Sequence, residues 1–122
     1  METAEAARRW AAEWQRAWEE HDSNRVAALY ADGASFRSAP FRDLQDPRAY
    51  AEWAFAEEES AEPHFGEPLV SGDRATVEWW AVSTSKAKEE TLAGVSLLRF
   101  DGDGLVVDQR DYWDVAKGRR EL

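Results

Sequence analysis

The sequence predicts an α+β domain in which three N-terminal helices pack on a strongly curved antiparallel sheet. Two observations carry this prediction. Apolar residues recur every three or four positions in the first half of the chain, and they alternate every second position after Pro63. A chain of 122 residues is typical of one domain and can bury about two-thirds of its unfolded surface. We therefore treat residues 1–122 as a single domain.

Helices are predicted over three segments. The second of the three is shorter than the first; it starts at Asp22 or Ser23, either of which can cap it, and ends at Gly33. The third starts at Asp46-Pro47, an N-cap followed by proline at the first helical position, and runs into Glu57-Glu58-Glu59. For these three acids we expect a solvated, charged helix end. The first helix spans residues 3–21, and its apolar face carries Ala7, Trp10, Ala11, Trp14, Ala17, Trp18 and His21.

Strands are predicted at 34–38, 65–70, 74–83 and 92–100, with a last strand after the turn at residues 101–104. A polar loop is expected over residues 83–90, and the close spacing of the last strands favours antiparallel hairpins. Side chains on a strand alternate between its two faces. One face of the last strand therefore carries Leu105, Val107, Gln109, Asp111 and Trp113.

Composition and charge exclude several classes of function. The net charge of −10 repels a phosphate backbone, so nucleic-acid binding is not expected. The N-terminus has no signal-like apolar segment and the chain has no run of about 20 apolar residues, so we expect a cytoplasmic protein that does not enter membranes. The absence of cysteine excludes disulfides and fits a reducing compartment. The only histidines, His21 and His64, have no acids at ligand spacing, so neither a metal nor a cofactor is predicted.

Several strands are apolar on both faces, which predicts a second covering layer. In the strand at 74–83, Val77 and Trp79 point to one side, and Trp80 and Val82 point to the other. The helices can cover only one side of the sheet. We therefore expect a homodimer packed through the outer sheet face.

Five segments together resemble the NTF2-like superfamily, in particular its small SnoaL-like proteins. This resemblance implies a cone of curved sheet closed by helices, with a pocket inside it. It implies no single activity, because the superfold hosts unrelated functions. The residues that carry the resemblance are 14–22, 26–34, 36–41, 72–79 and 110–114.

The closing run Arg110-Asp111-Tyr112-Trp113-Asp114 is similar to the one in limonene-epoxide-hydrolase-like proteins, where the residue at the position of Asp111 is catalytic. The other catalytic positions of that family depart here. Its Arg-x-Asp pair falls on Trp79 and Ala81, and its Tyr and Asn fall on Phe36 and Ser38. That hydrolysis is therefore not expected.

Two further enzyme groups of the superfamily can be compared with the chain. Ketosteroid-isomerase-like proteins place their base just before a proline, where this chain has Ser38-Ala39-Pro40 and no carboxylate. A serine hydroxyl needs a neighbouring base before it can abstract a proton. Polyketide-cyclase-like members use a mostly apolar cavity and an acid/base residue, which this sequence still allows.

Asp111 is the candidate catalytic residue, since an acid on a mostly apolar face must be paired, neutralised or turned toward a cavity. Two interpretations stay open: a general acid or base in the cavity, or a structural acid paired with an arginine or capping a turn. Aromatic walls favour an apolar or aromatic small molecule oriented by a few polar groups. The predicted ligand-binding residues are Trp10, Trp14, Tyr30, Phe36, Ser38, Phe41, Trp53, Trp79, Gln109 and Trp113.

The sequence thus predicts a protein that binds a small apolar molecule. Two hypotheses about its activity are carried forward. In the first, it is a cofactor-independent isomerase, cyclase, dehydratase or hydrolase that uses Asp111. In the second, it is a non-catalytic ligand-binding or dimerisation module whose cavity is filled by its own side chains.

Overall fold

The computed structural model describes residues 1–121 of the chain. This part contains three helices and six strands. The helices are α1 (Thr3–Glu20), α2 (Ser23–Ala27) and α3 (Pro47–Ala56). The strands are β1 (Tyr30–Arg37), β2 (Ser60–Phe65), β3 (Leu69–Ser71), β4 (Arg74–Ser85), β5 (Lys88–Phe100) and β6 (Val106–Lys117).

Helices α2 and α3 start where the sequence predicts, each at a capping aspartate. Asp46 caps α3 by accepting a hydrogen bond from the Ala49 backbone N–H at 3.0 Å, and Pro47 follows it. Asp22 caps α2 in the same way, accepting from the Arg25 N–H at 3.1 Å. Helix α1 ends at His21, whose backbone is left-handed with φ 55°. The apolar face of α1 is buried as predicted.

The six strands form one curved sheet in the order β1-β6-β5-β4-β2, and β3 pairs with β4. All pairs are antiparallel except β1 with β6, which run parallel, so the sheet is mixed. Helix α1 packs against β2 and β4 on the concave side. The core between helices and sheet contains the fully buried side chains Trp10, Val26, Phe36, Val77 and Val106. The α+β cone predicted from the sequence is confirmed.

Two predicted boundaries are wrong near the start of the sheet. Helix α2 stops at Ala27 because residues from Tyr30 onward pair with β6. Gly33, with φ +74°, lies inside β1 and does not end the helix. The strand predicted at 65–70 divides into β2 and β3 around Gly66, whose N–H donates to the Glu78 carbonyl at 2.7 Å.

The polar segment 83–90 is a tight hairpin and not the predicted loop. Strands β4 and β5 remain paired as far as Ser85 and Lys88, leaving a turn of two residues. Both turn residues, Lys86 and Ala87, have positive φ, at 53° and 62°. Positive φ at both central positions is the geometry that matches the twist of a two-residue hairpin.

A β-bulge shifts the predicted faces at the start of β6. Phe100 pairs with Val106 and Arg99 pairs with Asp108, so Val107 is the extra residue on β6. Val106 therefore points into the core, where the sequence pattern had placed Val107. From Gln109 onward the predicted alternation holds, and Gln109 and Asp111 share the inner face.

Gly94 allows β5 and β6 to approach closely in the middle of the sheet. It pairs with Trp79 on one side and with Trp113 on the other. A Cβ at this position would lie 2.3 Å from the Tyr112 carbonyl oxygen and 2.4 Å from the Trp113 Cβ. Only glycine fits there, and the space between the two tryptophans stays free of a side chain.

A membrane-spanning helix is not found: within residues 1–121, each helix is too short or too polar to cross a bilayer.

Candidate active site

A cavity of about 330 Å³ lies between the helices and the inner sheet face. Its volume is at the lower end of the range of about 300–1,000 Å³ that is typical of small-molecule sites. Nine of its nineteen lining residues are aromatic, and eight others are charged or carry hydrogen-bonding side chains. The lining residues are Trp10, Trp14, Trp18, Arg42, Tyr50, Trp53, Ala54, Phe55, Glu57, Glu58, Phe65, Trp79, Ser83, Glu90, Leu92, Ser96, Gln109, Asp111 and Trp113.

The indoles of the aromatic wall come from four separate elements. Helix α1 supplies Trp10, Trp14 and Trp18, because residues four apart share one helix face. Strand β4 adds Trp79, whose ring centroid lies 5.9 Å from that of Trp18 in an edge-to-face contact. Strand β6 and helix α3 supply the other two indoles, those of Trp113 and Trp53. Such contacts hold the rings in fixed orientations around the space.

Asp111 lies in this wall with one carboxylate oxygen committed and the other free. Its side chain is buried, with the residue 8% exposed. Oδ1 accepts hydrogen bonds from Ser96 Oγ at 2.6 Å and from Gln109 Nε2 at 3.0 Å. Oδ2 has no hydrogen-bond partner within residues 1–121, and the residue lines the cavity. The free oxygen is therefore available to a guest molecule.

Burial raises the pKa of Asp111 from 3.8 to about 7. The hydrogen bonds from Ser96 and Gln109 and the charge of Arg42 oppose this rise without cancelling it. A carboxyl group with such a pKa can both accept and release a proton at neutral pH. Strongly shifted acids of this kind cluster at functional sites.

A chain of hydrogen bonds fixes Gln109 beside the acid. Tyr30 donates its hydroxyl proton to Gln109 Oε1 at 2.5 Å, and Trp10 Nε1 donates to the same oxygen at 3.2 Å. Trp14 Nε1 in turn donates to the Tyr30 hydroxyl at 2.8 Å. With its oxygen held in this way, the amide of Gln109 must turn its nitrogen toward Asp111.

Ser96 is oriented from the other side of the acid. Trp79 Nε1 donates to Ser96 Oγ at 3.0 Å, which leaves the serine proton for Asp111 Oδ1. The acid is therefore held in one orientation by two polar side chains, each of which is fixed by indole or phenol donors.

Arg42 and Tyr50 add a cation and a phenol that sequence analysis had not assigned to the site. The Arg42 guanidinium lies 5.4 Å from the Trp53 ring centroid and 5.3 Å from that of Trp113. Burial and, to a smaller extent, the charge of Asp111 together raise the pKa of Tyr50 from 10.0 to about 12, against an opposing effect of Arg42. The phenol is thus protonated at neutral pH and can donate a hydrogen bond into the cavity.

Glu58 is a second buried carboxylate, and the predicted solvated helix end is wrong at this residue. Its side chain is 8% exposed. It accepts hydrogen bonds from Trp18 Nε1 at 3.0 Å and from Ser83 Oγ at 2.5 Å, and it lies 2.8 Å from His21 Nε2. Helix α3 ends at Ala56, and the turn into β2 directs Glu58 inward over α1.

The structure brings together most of the residues predicted to form the site. Three others, Tyr30, Phe36 and Ser38, are buried but do not line the cavity. The prediction is wrong for Phe41, which is fully exposed in the loop after β1. The predicted residues that line the cavity are Trp10, Trp14, Trp53, Trp79, Gln109, Asp111 and Trp113.

Ser38 supports the cavity mouth from outside the lining. Arg42 donates to its hydroxyl at 3.1 Å, and that hydroxyl donates to Gln45 Oε1 at 3.0 Å. Trp113 Nε1 donates to the Ser38 carbonyl oxygen at 2.6 Å. Ser38 therefore helps to position Arg42 and Trp113 without facing a ligand.

The residues that sequence analysis missed differ in how visible they were. Tyr50 precedes Trp53 by three positions on α3, so helical spacing could have placed both on one face. No local signal separates Glu58 from its two acidic neighbours. Arg42 lies in an irregular loop, where periodicity does not predict the direction of a side chain.

Within residues 1–121, no group of three or more His, Asp or Glu side chains could hold a metal ion.

Three solved structures share this fold over most of their length. The epoxide hydrolase/cyclase-like enzyme SalBIII, described in pyran ring formation in salinomycin, matches with TM-score 0.80 and 16% identity over 96% of this chain and 100% of its own. An LEH-like epoxide hydrolase of Mycobacterium tuberculosis matches with TM-score 0.71 and 16% identity over 93% of this chain and 86% of its own. A hypothetical protein of Catenulispora acidiphila with a ketosteroid-isomerase-like fold, in complex with trimethylamine, matches with TM-score 0.73 and 17% identity over 84% and 83%.

At these identities the structural matches establish the fold alone. No curated protein matches the sequence. The model of the SnoaL-like domain matches residues 8–109, which is most of the chain; the match starts within α1 and ends at Gln109, two residues before Asp111. The chain therefore belongs to the SnoaL-like domain family.

Proposed function

We propose that this protein binds a small apolar or aromatic molecule in the cavity and transfers a proton to or from it through Asp111. One observation carries the proposal. A buried carboxyl group with a pKa near 7 presents a free oxygen to a space walled by aromatic rings. An apolar enclosure with a few convergent polar groups and a shifted acid is the usual form of an active site.

The neighbouring side chains suit acid/base chemistry without a cofactor. Asp111 would act as the base in its ionised form and as the acid in its protonated form. Tyr50 can donate a hydrogen bond to an oxygen that gains negative charge, and Arg42 can stabilise that charge. Isomerisation, cyclisation, dehydration and hydrolysis all contain such a step.

The structural relatives support this class of reaction and not one particular reaction. Two of them are described as epoxide hydrolase or cyclase-like enzymes. At the positions where limonene-epoxide-hydrolase-like proteins carry their cation and second carboxylate, this chain has Trp79 and Ala81. Here Arg42 and Glu58 bring a cation and a second carboxylate to the cavity from other elements.

The test combines binding and turnover. Small epoxides, ketones and hydroxy compounds with apolar bodies are titrated against tryptophan emission, and binders are followed by NMR for conversion. Asp111→Asn should abolish conversion and keep binding within about threefold, because only the proton carrier is lost. Asp114→Asn, an exposed change on the same strand, serves as the control. Conversion that survives Asp111→Asn, or emission that no compound perturbs, would contradict the proposal.

A non-catalytic ligand-binding module is the second candidate. The departures at Trp79 and Ala81 from the hydrolase pattern favour it. It predicts binding of the same compounds with no conversion of any of them by the wild-type protein. The form of this candidate in which side chains fill the cone has less support, because the cavity has a volume of about 330 Å³.

A homodimer through the outer sheet face and a cytoplasmic location complete the proposal. Tyr112 is 42% exposed on that face, and Trp80 stacks on His64 with ring centroids 5.5 Å apart. A dimer interface would cover these rings. Sedimentation measurements at micromolar concentration should give twice the chain mass, and a monomer would contradict the dimer. The lack of cysteine fits the reducing cytoplasm.

A further inference from the structure

We infer that the ligand of this cavity is an organic cation, an ammonium group carried on an apolar body. The inference rests on the proposed function, because it names the chemical class of the molecule that the cavity takes. Three observations support it: the number of indoles in the lining, a cation already bound by two of them, and the balance of charge in the lining.

Most of the aromatic residues in the wall are tryptophans, whose indole rings attract cations best. Six of the chain's tryptophans line the cavity: Trp10, Trp14, Trp18, Trp53, Trp79 and Trp113. The face of an indole ring carries negative partial charge and attracts a cation within about 6 Å of its centroid. A neutral apolar ligand would need only bulk, which aliphatic side chains supply equally well.

Arg42 shows that two of these rings already hold a cation. Its guanidinium lies 5.4 Å and 5.3 Å from the ring centroids of Trp53 and Trp113. Both distances fall within the range of an attractive cation–π contact. Trp10, Trp14, Trp18 and Trp79 have no such cation among residues 1–121.

The charged groups of the lining are mainly acidic. The lining contains one guanidinium, that of Arg42, and four carboxyl side chains, those of Glu57, Glu58, Glu90 and Asp111. Asp111 is buried, and its Oδ2 has no partner within residues 1–121. Glu58 is also buried. A cationic guest would offset the cost of burying the Asp111 carboxylate, whereas a neutral guest would leave that cost in place.

The test uses two probes that differ only in charge. Phenyltrimethylammonium and tert-butylbenzene have nearly the same shape, and neither can donate a hydrogen bond. Their affinities are compared by quenching of tryptophan emission at pH 8.5 and low ionic strength. We expect the cation to bind about 30-fold more tightly, which is typical of a desolvated cation–π site.

Variants locate the source of this preference. Asp111→Asn and Glu58→Gln should each reduce the preference for the cation about tenfold, with the affinity for tert-butylbenzene changed less than about threefold. Glu52→Gln removes the same charge from an exposed position of α3 outside the cavity and should leave the preference unchanged. Circular dichroism of each variant confirms that it is folded.

The outcomes separate this inference from the proposed function. Equal or tighter binding of tert-butylbenzene by the wild-type protein would overturn the inference and leave the ligand cavity supported. A preference for the cation that survives both acidic substitutions would also overturn it. Failure of both probes to bind would overturn the inference together with the proposed ligand cavity.

Discussion

Replacing Asp111 with asparagine is expected to stabilise the folded protein at alkaline pH. The ionised carboxylate is buried with little access to water, and this burial raises its pKa from 3.8 to about 7. Asparagine has the same shape and no charge. Its Oδ1 can still accept the hydrogen bonds from Ser96 and Gln109.

The size of the effect follows from the pKa difference. Each pKa unit is worth about 1.4 kcal/mol, so the ionised carboxylate costs the folded state up to about 4 kcal/mol. Between the unfolded and folded pKa values the folded protein binds more protons, so its stability falls as pH rises through this range. The stability of Asp111→Asn lacks this term. Its gain over the wild-type protein should therefore increase by about 3 kcal/mol from pH 5 to pH 8.5.

The assay is urea denaturation followed by tryptophan emission at several pH values. The difference between the two proteins isolates the contribution of Asp111, because all other titrating groups are shared. Asp114→Asn, exposed on the same strand, should change the free energy of unfolding by less than about 0.5 kcal/mol at every pH. A loss of more than about 1 kcal/mol in Asp111→Asn at pH 8.5 would refute the reasoning, because it would identify Asp111 as a structural acid.

Three further substitutions test the structure around the cavity, each by urea denaturation. Glu58→Ala should cost about 2 kcal/mol, because it removes the hydrogen-bond partner of three partly buried polar groups, while Glu57→Ala at the exposed neighbour should cost little. Equal losses of stability in the two variants would support the original prediction that this helix end is solvated. Gly94→Ala should cost at least about 3 kcal/mol, since its Cβ would overlap β6, and Gly102→Ala, with open space around it, should be nearly neutral. Tyr30→Phe should cost about 2 kcal/mol through loss of the hydrogen bonds to its hydroxyl; a neutral result would mean that this network does not hold Gln109 in place.

Part of the candidate site was visible in the sequence because it lies within single elements. The period of two along β6 places Gln109, Asp111 and Trp113 on one face, and the period of four along α1 does the same for Trp10 and Trp14. These side chains line the cavity as predicted. The prediction for Phe41 was wrong because this residue lies in a loop, where no periodicity relates a side chain to a face.

Other parts of the site depend on segments that meet only in the folded chain. Glu58 looks like its two acidic neighbours, and it is buried because α3 stops at Ala56 and the following turn carries it over Trp18 and Ser83. Arg42 reaches the cavity because two indoles from different elements receive it. Neither the burial of Glu58 nor the position of Arg42 can be predicted from the neighbouring residues in the sequence.

The amino-acid sequence by itself determined the class of fold, the N-caps of α2 and α3, the buried face of α1 and the position of Asp111 on the inner face of β6. These properties depend on neighbours within a few residues, whose spacing decides which side chains share a face. Tertiary structure decided the parallel pairing of β1 with β6, the close approach of β5 and β6 at Gly94, and which charged side chains lie near Asp111. Those features arise from contacts between segments far apart in the chain, and their energies depend on burial and distance that only the packed fold sets.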